Sequence, residues 1–272
     1  MITGTDKKTI ADYTELWAQC TDNSGYYGSV ALLQDIFGPL LSVEFVKDKE
    51  VCDIGSGTGR IVNMLLDAGA RHVTAVEPSG AFAALKNNTR SREERVTLIQ
   101  DVGEALPPDG NKDLVVSFGV LDHIVDPLPT VKAAYRALKP GGKMAVWIYG
   151  YEGNRPYLFV FVPVRRIARL LSPAVLRSFC KLLCFAAEGY GVACRVLPLP
   201  LRSYFLNHFM KLDHDKRELT IYDQLKPMYA KYYRRDEATT LLSDAGFVNV
   251  EVYHRHGYSW TVVGEKPSAD VR

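Results

Sequence analysis

The chain has no long run of one charge: 33 Lys and Arg stand against 31 Asp and Glu, a formal net charge of +2 over 272 residues. So small an imbalance gives no reason to expect a nucleic-acid partner, whose phosphates require a basic face. Cysteine is scarce and odd in number (Cys20, Cys52, Cys180, Cys184, Cys194). Cys180 and Cys184 stand one helical turn apart, but nothing in the spacing supplies further ligands, so no metal is expected. Small apolar residues in a reducing cytosol are the reading that fits. Residues 1–8 lack the apolar core of a signal peptide, which adds to the expectation of a cytoplasmic location. Internal repeats and low-complexity tracts are absent.

What is present begins at Val51-Cys52-Asp53-Ile54-Gly55-Ser56-Gly57-Thr58-Gly59-Arg60, followed by Ile61-Val62-Asn63-Met64-Leu65-Leu66. The pattern is a strand, a tight turn and a helix start, a geometry that holds a nucleotide-like ligand against backbone. A second apolar run, Val73-Thr74-Ala75-Val76, ends in Glu77-Pro78-Ser79, where a carboxylate is placed to meet ribose hydroxyls. Val96-Thr97-Leu98-Ile99 then runs into Gln100-Asp101, and Leu114-Val115-Val116-Ser117-Phe118 into Gly119-Val120-Leu121-Asp122-His123. Arg136-Ala137-Leu138-Lys139-Pro140-Gly141-Gly142-Lys143 reads as the close of a helix feeding the strand Met144-Ala145-Val146-Trp147-Ile148-Tyr149. Strands alternating with helices predict a doubly wound α/β sheet with its ligand at the carboxyl ends of the strands.

These residues closely resemble the class I S-adenosylmethionine-dependent methyltransferases. The resemblance rests on Asp53-x-Gly55-x-Gly57-x-Gly59, on Glu77 and Asp101 at strand ends, and on Leu138-Lys139-Pro140-Gly141-Gly142. It extends to Leu241-Leu242-Ser243-Asp244-Ala245-Gly246-Phe247 before two final strands, and so covers 45–150 and 234–266. A nicotinamide-binding turn competes for the first motif, but usually reads Gly-x-Gly-x-x-Gly. The resemblance implies a seven-stranded, mostly parallel sheet binding S-adenosyl-L-methionine. It implies Asp53, Gly55, Ser56, Gly57 and Gly59 near the methionine portion and Glu77 with Pro78 at the ribose. Asp101 and the Val102 amide would meet the adenine edge, and Phe118 the floor of the site. Each acid has an alternative reading as a strand-end cap.

Methyl transfer is an in-line displacement, so the protein chiefly aligns the reactants and excludes water. A hydroxyl acceptor must also lose a proton. His123, after the fourth strand, is the candidate base, with local packing beside Asp122 and Asp126 as the alternative. Residues 1–44 read as a helical lid whose Tyr13, Trp17, Tyr26 and Tyr27 shield the sulfonium, or as a helix packed on the sheet edge. For His254 and His256, in the turn between the last two strands, a structural role is expected.

Residues 151–233 read as a helical insertion after strand five. From Arg155 to Lys211 it carries nine Lys or Arg and one acid, Glu188, and its longest uncharged stretch is nine residues, too short to span a bilayer. Three readings stay open. The insertion is a cap over the site; or it is an interfacial element, with Arg165, Arg166 and Arg169 at anionic headgroups while Phe159, Phe161, Ile167, Leu170 and Leu171 insert; or its arginines bind an anionic acceptor. Tyr26, Tyr149 and Tyr151 are candidate acceptor-binding residues. The expected activity is methylation of a small or lipid-linked acceptor, at oxygen of a sugar or phenol, with similarity to cell-envelope glycan enzymes. Methylation at nitrogen or carbon, or cofactor binding without catalysis, are the alternatives.

Overall fold

The computed structural model describes residues 3–17, 21–168, 170–226 and 229–268. Cys20, Arg169 and the Trp17 side chain, all named above, lie outside what is described. Seven strands form one sheet: β1 (Glu50–Ile54), β2 (His72–Val76), β3 (Val96–Ile99), β4 (Lys112–Phe118), β5 (Leu138–Tyr149), β6 (Val248–Arg255) and β7 (Ser259–Glu265). Their order is β3-β2-β1-β4-β5-β7-β6. The first five are parallel, and β7 lies antiparallel between β5 and β6. Strand order reverses direction between β1 and β4, where a doubly wound sheet opens its crevice.

Alternating residues face opposite helical layers, as a pleated strand requires. Leu114, Val116 and Phe118 of β4 pack with α2 (Val30–Phe37) and α3 (Arg60–Asp67). Val115, with Met144, Val146 and Ile148 of β5, packs with α5 (Leu128–Ala137) and α10 (Arg235–Ser243). The segment expected to close a helix through Lys143 behaves otherwise. α5 ends at Ala137; Leu138 pairs with Lys112, and the ladder shifts register before resuming at Leu114 and Lys143. Pro140 has no N–H for either a helix or a ladder, which accounts for the irregular start.

Between β5 and α10 come α6 (Arg155–Ala168), α7 (Pro173–Ala193), α8 (Arg202–Asn207) and α9 (His214–Leu225). The chain leaves and re-enters the sheet at one place, for Gly150 bridges Tyr233 in parallel and Tyr151 N donates to Tyr233 O at 2.8 Å. These helices enclose their own core, including Ala168, Leu176, Cys180, Cys184, Phe209 and Leu225. Cys52, Cys180, Cys184 and Cys194 are buried free thiols. No helix among the described residues is long and apolar enough to cross a membrane.

Candidate functional site

The chain turns back after β1 through Gly55, whose φ is +77° and where a Cβ would stand 2.4 Å from Val120 Cγ2. Conformation and space both require glycine there. Gly55 N and Ser56 N donate to Val76 O at 2.8 and 3.0 Å, and Gly57 N donates to Glu77 Oε2 at 2.7 Å. Glu77 Oε1 accepts from Ser79 N at 2.8 Å. Glu77 therefore clamps the glycine turn onto the end of β2. A carboxylate offers about four acceptor positions, so both oxygens keep room for further donors.

These groups border a cavity of about 180 Å³ over the carboxyl ends of β1, β2 and β4. Gly55, Ser56, Gly57, Glu77, Pro78, Val102, Phe118 and His123 all line it. Phe118 is held edge-on by Phe37, with ring centroids 5.9 Å apart. Asp53 lies in the wall behind the lining, 1% exposed, with Oδ2 lacking a hydrogen-bond partner among the described residues. Burial pushes its carboxyl up to about 7, against the opposing pull of the Ser56 hydrogen bond and Arg60. Gly59, in the left-handed region, precedes α3 and stands outside the lining.

Asp101 is placed differently from the expectation. It is exposed and outside the lining, and its Oδ1 accepts from Val102 N at 2.7 Å, while Val102 itself lines the cavity. A short side chain one residue before a free amide closes on it readily.

The amino-terminal helix α1 (Gly4–Trp17) lies across the cavity mouth, contributing Thr9, Ile10 and Tyr13. It is tied on two sides: Asp6 Oδ1 accepts from Val125 N at 3.1 Å, and Thr14 Oγ1 from Gly80 N at 2.9 Å. Tyr27 lines the cavity beneath the Arg60 guanidinium, 4.3 Å from its ring centroid. Tyr26 lines neither this cavity nor the second one described below; it packs on the core, and burial pushes its hydroxyl to about 12.

His123 Nδ1 lies 2.8 Å from Tyr229 O. A carbonyl only accepts, so Nδ1 carries the proton and Nε2 of the neutral ring keeps a lone pair. Nε2 stands 3.8 Å from Asp122 Oδ2, beyond hydrogen-bond reach. Asp122 is fully buried with neither carboxylate oxygen partnered among the described residues, and burial raises its pKa. The Tyr13 ring meets His123 edge-on at 5.3 Å, and its hydroxyl bonds Asp223. None of these longer-range partners was legible from spacing, since Asp223 and Tyr229 reach His123 only through the fold.

A second cavity, of about 590 Å³, lies within α6–α9 and is lined mostly by apolar groups. Tyr149 forms its inner wall beside Tyr232, the rings stacked at 5.5 Å, while Gln224 Nε2 donates to the Tyr149 hydroxyl. Arg165, placed at headgroups in the interfacial reading, is instead buried: its Nε donates to Gln224 O at 2.8 Å and Nη2 to the Tyr232 hydroxyl at 3.1 Å. Phe161 likewise faces inward, stacked on Tyr157 at 4.4 Å. Tyr151 lines neither cavity and carries the Arg234 guanidinium 4.6 Å from its ring centroid.

Two clusters lie apart from both cavities. His254 stacks on Trp260 at 4.2 Å, and His256 Nε2 bonds Asp35 Oδ1 at 2.8 Å beside the buried Arg255. Cys184, Glu188 and His214 come together within 4.8 Å, a grouping that sequence spacing did not reveal. Glu188 there already accepts from Arg217 and His214, both at 2.8 Å, so a cation would meet a guanidinium.

A model of a methyltransferase domain matches residues 52–146. Residues 52–146 form a class I methyltransferase domain. Among relatives, an uncharacterized methyltransferase of Mycobacteroides abscessus is 27% identical over 155 residues, covering 53% of this chain and 60% of the relative. A ubiquinone biosynthesis O-methyltransferase of Hydrogenovibrio crunogenus is 26% identical over 161 residues, 56% of this chain and 63% of its own length. The chain thus spans less than two thirds of the curated relatives it matches. An O-methyltransferase family protein from Burkholderia thailandensis shares the fold, with TM-score 0.52 and 12% identity over 88% of this chain and 56% of that one.

Proposed function

We propose that this methyltransferase binds S-adenosyl-L-methionine at the glycine turn and methylates a hydroxyl of a small or lipid-linked acceptor, with His123 as general base. The observation that carries the reading is His123. Its tautomer is set by Tyr229 O, and it lines the same cavity as Gly55, Gly57 and Glu77. The relative from Hydrogenovibrio crunogenus, named as an O-methyltransferase, supports oxygen as the acceptor atom.

The residues fit this cosubstrate. Gly55, Ser56 and Gly57 present backbone to the cavity, and the Glu77 carboxylate beside them keeps acceptor positions for ribose hydroxyls. When bound, S-adenosylmethionine supplies a methyl carbon on a sulfonium, which passes to the acceptor oxygen as the C–S bond breaks and a neutral thioether leaves. His123 Nε2 takes the hydroxyl proton as the oxygen attacks. The imidazolium so formed lies 3.8 Å from Asp122 Oδ2, a carboxylate able to stabilise it. α1 covers the mouth and excludes water.

The test is isothermal calorimetry with S-adenosylmethionine, followed by an acceptor screen with a labelled methyl group. Wild type binds; Asp53→Asn and Glu77→Ala bind more weakly. Absence of binding to wild type ends the reading, and label found only on nitrogen or carbon removes its oxygen-specific half.

A second reading concerns the insertion's outer surface. Eleven of the thirteen large apolar residues most exposed to solvent lie between Phe159 and Leu197, with exposed Arg166, Arg177, Lys181 and Arg195 among them. Apolar groups interleaved with cations suit an anionic lipid surface.

A further inference from the structure

We propose that the cavity within the insertion holds the hydrocarbon chain of an amphipathic acceptor whose hydroxyl reaches His123 past Tyr149. This rests on the methyltransferase reading above and names the acceptor class for that site.

The lining decides the chemistry. Val160, Phe161, Leu183, Ala187, Phe209 and Ile221 contribute side chains of carbon and hydrogen only. The cavity measures about 590 Å³, room for a hydrocarbon chain, and an apolar occupant removes these side chains from water at a gain. A free sugar does not suit it, because its hydroxyls would lose water without gaining partners.

A connected polar set stands at the inner end. Tyr149, Tyr157, Gln224 and Tyr232 form one hydrogen-bonded set there, with Tyr157 Oη donating to Gln224 Oε1 at 3.1 Å and Arg165 closing the set from behind. On the far side of Tyr149 stands His123, ring centroids 6.2 Å apart, which belongs to the cofactor-side cavity. A single ring thus separates an apolar chamber from the candidate base. The occupant that matches this order of surfaces has a polar head at His123 and a chain running toward α7.

The experiment measures binding of straight-chain alkanols from hexanol to decanol by calorimetry, with S-adenosylhomocysteine affinity measured on the same samples. A chain entering the chamber tightens binding roughly fourfold per added methylene. Ala187→Trp and Leu183→Trp, which fill the chamber, weaken decanol binding tenfold or more and leave S-adenosylhomocysteine affinity unchanged. Length-independent binding by wild type overturns the proposal whether or not the variants fold. So does wild-type decanol affinity in either filled variant, or loss of decanol binding on Phe159→Ser, which would put the alkanol on the outer surface. Failure of the underlying function appears separately, as absent S-adenosylhomocysteine binding.

Discussion

His123 stands edge-on to Tyr149, with ring centroids 6.2 Å apart, and these two rings are where the cofactor-side cavity and the insertion cavity approach one another. His123 follows β4 and Tyr149 ends β5, adjacent parallel strands, so their proximity follows from sheet register. An acceptor reaching both rings would present its reacting atom at the crevice where the strand order reverses.

Replacing His123 by Asn removes the lone pair at the position of Nε2. For a hydroxyl acceptor, kcat falls by about 10²–10⁴ while S-adenosylhomocysteine affinity holds. Unchanged kcat would remove His123 from proton transfer and leave it a packing residue between Tyr13 and Tyr149.

Asp53 links stability to pH. Its carboxyl, pushed up to about 7 by burial, stays protonated in the folded chain between pH 4 and 7 while the unfolded chain ionises. Stability contributed by this group is therefore full below about pH 4, falls as pH rises through that window, and levels off above 7. Asp53→Asn abolishes the loss, so at pH 8 the free variant is more stable than wild type by up to roughly 4 kcal/mol, and near pH 4 the two converge. Urea unfolding across this range checks the sign, and weaker cofactor binding by the same variant separates function from stability.

Gly55→Ala meets two obstacles, a φ of +77° and Val120 Cγ2 at 2.4 Å. Together they cost about 1–3 kcal/mol in thermal or urea unfolding. Adding Val120→Ala restores only the steric part, because the backbone conformation is untouched. Full restoration would show that the φ carries no strain.

Arg255 is 1% exposed and pairs with Asp35, whose carboxyl is raised by burial but lowered further by His256 and Arg255, to about 2. The stability this pairing gives is present above about pH 4 and is lost as pH falls toward 2. Asp35→Asn leaves a buried guanidinium without its counter-charge and lowers stability by about 3–5 kcal/mol at pH 7. At pH 2 the difference from wild type shrinks.

If the insertion's outer surface meets lipid, the chain co-sediments with phosphatidylglycerol vesicles and not with phosphatidylcholine vesicles. Phe159→Ser with Leu170→Ser, the two most exposed large apolar side chains, then weakens the association. Indifference to phosphatidylglycerol leaves the insertion as a cap alone.

The sequence by itself determined the alternation of strands and helices and the glycine turn. These, with Glu77 and Phe118 at strand ends, are local features: alternating burial, a turn that only glycine can make, and residues placed where strands stop. Those rules act over a few residues and are written in consecutive letters. Asp101 stands outside the cavity lining, with a local hydrogen bond from Val102 N that no spacing announced. Arg165 departed because composition counts charges without saying which way a helix turns them, and here the guanidinium points into a set of tyrosines. Only the tertiary structure decided that Tyr27 rather than Tyr26 faces the cavity, that Tyr229 fixes the His123 tautomer, and that the insertion encloses an apolar chamber behind Tyr149. These depend on contacts between residues about a hundred positions apart, such as His123 and Tyr229, which side-chain periodicity does not encode.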